Sequence, residues 1–114
     1  MLPAKYRLSR AEIPTVLRRG LVVKGESLTL RVISLDDKLK PAKLAIVVSA
    51  KTVKTAVGRN LVKRRLRQAI IGLSKNLKPG YATVLITFPG IASQTYVKLQ
   101  RGLEALLRQA RLLT

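Results

Sequence analysis

Five cations, Arg59, Lys63, Arg64, Arg65 and Arg67, stand within nine residues of the chain with no acid among them and the amide of Asn60 beside them. A guanidinium forks onto two phosphate oxygens and an ammonium meets them as a point charge. A carboxamide can pair with a base edge or a ribose hydroxyl. The chemistry open to this set is therefore recognition of a polyanion. Catalytic groups are scarce. The chain has no Cys and no His, which excludes a Cys/His zinc site, a disulfide framework and histidine acid–base chemistry. Its five acids are scattered: Glu12 fits a helix cap, Glu26 a turn and Glu104 a surface, while adjacent Asp36 and Asp37 read as a turn signal before a weak divalent-ion site. Gly25 and Gly58 stand alone, so no glycine-rich loop cradles a phosphate. Nothing marks a lysine as buried enough to serve as a base. The residues offer no protein-borne catalytic group and no metal site.

The stretch Ala56–Ile70 must position these cations. At about 100° per residue Val62, Leu66, Ala69, Ile70 and Leu73 fall on one arc, which predicts a helix with one stripe on a core. Asn60, Lys63, Arg64 and Arg67 fall on another arc, broken only by Leu61 and Ile71. A solvated face would mix signs to gain i,i+4 pairs of about 0.2–0.5 kcal/mol. Here Arg59/Lys63 and Lys63/Arg67 repel by similar amounts, so an anionic partner explains the pattern better than solvent does.

Composition agrees. Lys and Arg total 23 against 5 Asp and Glu, a formal net charge of +18, and between Lys38 and Gly102 there are fourteen basic residues and no acid. Such density destabilises a compact state unless a polyanion neutralises it, and nucleic acid is the first candidate. At 47% hydrophobic the 114 residues support a real core, read as one domain over 1–114. Tyr6, Tyr81, Phe88 and Tyr96 are the only aromatics. Tyr81 and Phe88, at opposite ends of one predicted strand, read as core or sheet-edge residues, and no aromatic-rich strand stacks successive bases. Folded RNA or its backbone is the better partner. No signal peptide or apolar run of about 20 residues is present, so the expectation is a soluble cytoplasmic protein without a membrane partner.

In chain order, Met1–Leu8 is a basic lead-in, mobile at its start. Ser9-Arg-Ala-Glu12 has the form of a capping box, and Ile13, Val16 and Leu17 give a short helix within Ser9–Arg19, closed by Gly20 and complicated by Pro14. Leu21–Lys24, Ser27–Leu35, Lys43–Ser49 and Tyr81–Phe88 read as strands. The short polar connection at Asp36–Pro41 predicts that the second and third pair as a hairpin. The basic helix ends near Asn76, before Lys78-Pro79-Gly80. A last helix is capped by Ser93, with the stripe Leu99, Leu103, Leu106, Leu107 and Ala110; Gly102 inside it suggests close packing. The order α-β-β-β-α-β-α predicts an α/β (α+β) two-layer sandwich with both longer helices on one sheet face.

Ala56-Val-x-Arg59-Asn60-x-Val62-Lys63-Arg64-x-Leu66-Arg67, led in by Ser49-Ala-Lys51, resembles the signature of the bacterial ribonuclease P protein family, and the element order and basic charge agree over essentially the whole chain. The resemblance implies the small protein cofactor of a ribozyme endonuclease that removes the 5′ leader of precursor tRNA. Catalysis would belong to the RNA subunit, and magnesium would be held mainly by that RNA. It implies a central four-stranded sheet with a left-handed βαβ crossover, where residue-level reasoning gives a right-handed one by default, like the second domain of a ribosomal small-subunit protein. By position, Arg59, Asn60, Lys63, Arg64 and Arg67 would contact the catalytic RNA, and Lys51 and Lys54 would extend that surface. Ile13, Leu17, Leu28, Leu30 and Arg31 would line a leader groove between the first helix and the sheet. Leu61 stands where the family commonly has a third polar residue, which leaves that RNA contact missing or made by Arg65. Aliphatic Ile13, Leu17 and Leu28 stand where the family often has aromatics. DNA is not an implied partner, and weak self-association of the free protein is left open. Two other readings fit the charge: a structural ribosomal RNA-binding protein without turnover, and a DNA-binding module with its basic helix in a major groove.

Overall fold

The computed structural model describes residues 4–114. Along β2 (Leu28–Ser34) side chains alternate strictly: Leu28, Leu30 and Val32 are buried with the long helices, while Arg31 and Ile33 face the other side. β2 pairs antiparallel with β1 (Leu21–Lys24) on one edge and with β4 (Tyr81–Thr87) on the other; β3 (Lys43–Val47) pairs parallel with β4, giving the order β1-β2-β4-β3. The hairpin expected between β2 and β3 does not form, because β4 lies between them. β4 is the strand suited to the centre, with Ala82 through Leu85 all buried on both faces. The connection from β2 to β3 opens around its start. The Leu35 amide donates to the Gly80 carbonyl at 2.7 Å, and the Gly80 amide to the Lys40 carbonyl at 2.8 Å. Gly80 has φ +89°, and a Cβ there would lie 2.9 Å from the Lys38 backbone, so this threading needs glycine.

One sheet face carries α2 (Ala56–Leu73) and α3 (Tyr96–Gln109). The expected stripes are the buried ones: Val62, Leu66, Ala69 and Ile70 from α2, and Leu99, Leu103, Leu106 and Leu107 from α3. α2 passes into a single tighter turn, Ser74–Asn76, matching the expected end near Asn76. α3 is capped by Thr95, whose hydroxyl accepts from the Lys98 amide at 3.2 Å. Ser93, the expected cap, instead closes a preceding turn by donating its hydroxyl to the Gly90 carbonyl. Gly102 is not a packing glycine, since a Cβ there meets nothing within 4 Å.

The opposite face is crossed by the short α1 (Ile13–Arg19). Its Val16 is fully buried, with half-buried Ile13 and Leu17 around it, against Ala82 and Val84. The helix begins later than Ser9, with Pro14 in its first turn, where a missing N–H costs nothing. The Ser9–Glu12 pair forms half of the expected box. Glu12 reaches back to accept from the Ser9 hydroxyl at 2.7 Å, but its own amide donates to the Ser9 carbonyl. The Ser9 bond, aided by Lys43 and Lys40, holds the Glu12 carboxyl below its ordinary pKa. Gly20 ends α1 at van der Waals limit. A Cβ would lie 2.5 Å from the Val16 carbonyl oxygen and 3.0 Å from the Val32 nitrogen, so glycine lets the chain turn directly into β1. Ahead of α1, Arg7 bridges Leu44 in parallel and the Leu8 amide donates to the Leu44 carbonyl, lining the free edge of β3. The mobility expected at the very start of the lead-in concerns residues 1–3, outside the described residues.

Candidate nucleic-acid interface

α2 opens with Thr55 at its N-cap, which accepts from the Gly58 amide at 3.0 Å. This cap fixes the rotation of the first turn, and with the buried stripe it decides which side chains face solvent. Asn60, Arg64 and Arg67 are exposed and Lys63 half-buried, and none of the four has a hydrogen bond or ion pair within the described residues. They form the face predicted from their spacing, with its cations unneutralised by the chain itself.

The two other arginines of the cluster are engaged. Arg59 donates one guanidinium nitrogen to the carbonyls of Val53 and Lys54, at 3.0 and 3.1 Å. It thereby ties down the loop before α2, whose Lys51 and Lys54 are both exposed. Arg65 leans toward α3 and donates to the Gln94 carbonyl at 3.4 Å, and Gln94 in turn donates to the buried Ser27 hydroxyl. Arg65 thus links helix, turn and sheet, while Leu61 is itself half-buried. Helical periodicity showed which residues leave the core, but not which long side chains return to the backbone.

The loop bearing Lys51 and Lys54 is anchored to the end of β4: the Thr52 hydroxyl donates to the Thr87 carbonyl at 3.1 Å and the Thr87 hydroxyl to the Val47 carbonyl at 3.0 Å. Next to Thr87 lies Phe88, past the strand end and 42% exposed. Sequence reasoning gave it a core or edge role. The signal available was its position immediately before Pro89-Gly90, where a strand stops and its last side chain loses cover.

On the α1 side of the sheet, Ile13, Leu17 and Arg31 come together. Arg31, half-buried, reaches the Gly20 carbonyl at 3.5 Å, and half-buried Ile33, Ala45, Val47 and Ile86 continue the surface. Leu28 and Leu30 do not belong to it. They are 5% and 0% exposed, on the other face, in the core under α2 and α3. A period of two puts Leu28 and Leu30 on one face and Arg31 on the other, so the five residues never could line one groove. Among the described residues no group of three or more His, Cys, Asp or Glu could hold a metal ion, and no helix is long and apolar enough to cross a membrane.

Comparison with known proteins agrees with this geometry. Residues 2–111 match the family model described as Ribonuclease P. A ribonuclease P protein component from Mycobacterium sp. (strain KMS) is 38% identical over 112 residues, covering 97% of this chain and 94% of that protein. Its counterpart from Synechococcus elongatus is 34% identical over 116 residues, covering 98% and 95%. Among solved structures, the RNase P protein of Staphylococcus aureus superposes with a TM-score of 0.83 at 22% identity, covering 96% of this chain and 98% of that one. That of Thermotoga maritima gives 0.80 at 20% identity, covering 90% and 96%. With an unneutralised cationic helix on a sheet of this topology, and a family match spanning nearly its whole length, the chain belongs to the ribonuclease P protein family.

Proposed function

We propose that this protein, as the protein subunit of ribonuclease P, docks the outer face of α2 on the catalytic RNA and guides the 5′ leader of precursor tRNA along the α1 side of the sheet. The observation that carries the reading is the set Asn60, Lys63, Arg64 and Arg67: one helix face, without intramolecular partners. Lys51 and Lys54 extend it, and Arg59 acts by holding the loop that presents them. On the other surface Arg31 supplies a cation for leader phosphates while Ile13, Leu17, Val47 and Ile86 give aliphatic contact. Exposed Phe88 offers a ring on which a base can stack.

No three His, Cys, Asp or Glu side chains come together among the described residues, and no step is assigned to protein-held metal. The bond is cut by the RNA subunit with its magnesium, in the cytoplasm. The protein contributes positive charge that lets two polyanions, ribozyme and substrate, approach each other. The test is cleavage of a 5′-leader precursor tRNA at low magnesium by a bacterial ribonuclease P RNA, with and without the protein. Strong activation, lost in the Lys63→Ala/Arg64→Ala/Arg67→Ala variant, is the expected outcome. RNA binding without activation would move the protein to a structural role such as that of a ribosomal protein.

A further inference from the structure

Between the β1–β2 turn and α3 lies a cleft of about 450 Å³, a size typical of small-ligand sites, which run about 300–1,000 Å³. Its rim carries Lys24, Lys98 and Arg101, all exposed, and none of their side-chain charges has a hydrogen bond or ion pair within the described residues. Glu26 is the only acid there, so the rim is net cationic. The floor is apolar: Leu28, Leu99, Leu103 and Leu106, of which Leu28 and Leu106 keep 5% and 6% exposure. Gln94 and Gln109 add amide groups. Gly102 lies on the cleft wall in the middle of α3, exposed and with open space where a Cβ would be. Glycine is disfavoured in a helix interior, and packing here does not require it. What its missing side chain does is leave the cleft open.

A cationic rim over an apolar floor with amides at its edge fits a flat, partly apolar anion. The surrounding charge favours a nucleotide over a protein segment. The Gln94 carbonyl, beside the cleft, accepts from Arg65 of α2, which puts a further cation near the cleft's edge. We infer that this cleft holds a single unstacked nucleotide of an RNA strand. Its phosphate lies among Lys24, Lys98 and Arg101, and its base over the leucine floor. The site is distinct from both the outer face of α2 and the α1 side of the sheet, and it does not depend on which RNA the protein serves.

The test is an NMR titration of the full-length ¹⁵N-labelled protein with adenosine 5′-monophosphate, with adenosine and inorganic phosphate as separate controls. The nucleotide is expected to move the amides of Gly25, Gly102 and Leu103 saturably, and each control to move them at least several-fold less at equal concentration. Gly102→Leu, placed in open space on a helix, should keep the remaining spectrum and weaken nucleotide binding at least fivefold. Lys98→Ala/Arg101→Ala should remove the advantage of nucleotide over adenosine. The inference is overturned if phosphate alone reproduces the shifts, if only α2 amides move, or if Gly102→Leu binds like the wild type. An acidic amphipathic peptide that moves these amides where the nucleotide does not would also overturn it and assign the cleft to a protein partner. No catalytic RNA is used, so the result is independent of the docking assignment for α2.

Discussion

Arg59 donates to two backbone carbonyls of its own chain, while Arg64, on the next turn and a half of the same helix, donates to none. The two should therefore fail differently. Arg64→Ala is expected to weaken RNA docking by about 1–3 kcal/mol through loss of charge-assisted contacts, with stability unchanged within about 0.5 kcal/mol. Arg59→Ala should lower stability by about 1 kcal/mol, since the Val53 and Lys54 carbonyls lose their donor, and should reduce docking by releasing the loop of Lys51 and Lys54. Urea unfolding alongside RNA affinity separates them; equal unfolding midpoints for the two variants would remove the bracing role from Arg59. This difference was not legible in the sequence. Spacing identified Asn60, Lys63, Arg64 and Arg67 correctly as one outward face, because a 3.6-residue period fixes where a Cβ points. Whether a long side chain then continues into solvent or folds back depends on neighbours such as Gln94, far along the chain from Arg65.

At the level of elements, both Ser93 and Thr95 have the residue type of a helix cap, and the local pattern does not choose between them. The backbone does: Thr95 is extended, at φ −68° and ψ 158°, just before α3, whereas Ser93 is held in a tight turn following Gly90. Thr95→Ala is expected to cost about 1 kcal/mol and Ser93→Ala only a few tenths, read from denaturant midpoints; the reverse order would place the start of α3 earlier. The elements themselves were largely legible, since each strand shows alternation or a continuous apolar run and each long helix a clean stripe. Their pairing was not. A short connection between Leu35 and Lys43 suggests a hairpin, and nothing local tells that β4, arriving after an eighteen-residue helix, belongs between those strands. Tyr81–Thr87 is as apolar as Lys43–Val47, so composition alone does not tell which of the two takes the edge that β3 occupies.

Across the whole molecule, charge sets the terms of partnership. Glu12–Lys43 and Glu104–Arg108 are ion-paired, and the chain's 23 Lys and Arg far exceed its 5 Asp and Glu. RNA affinity should accordingly fall steeply with salt, with a log–log slope of magnitude several, and Arg64→Ala should reduce that slope by about one; filter binding across a salt series measures both. A flat salt response would mean that the cations on α2 do not meet phosphates. The position of β4 has a consequence of another kind, for the birth of the protein. Synthesis runs from the N-terminus, and until residue 81 emerges β2 has only the four-residue β1 beside it and β3 no neighbouring strand at all. The nascent chain therefore has no independent N-terminal half to fold. Its sheet closes only once β4 has left the ribosome, and a product truncated before Tyr81 would lack the strand that joins β2 to β3.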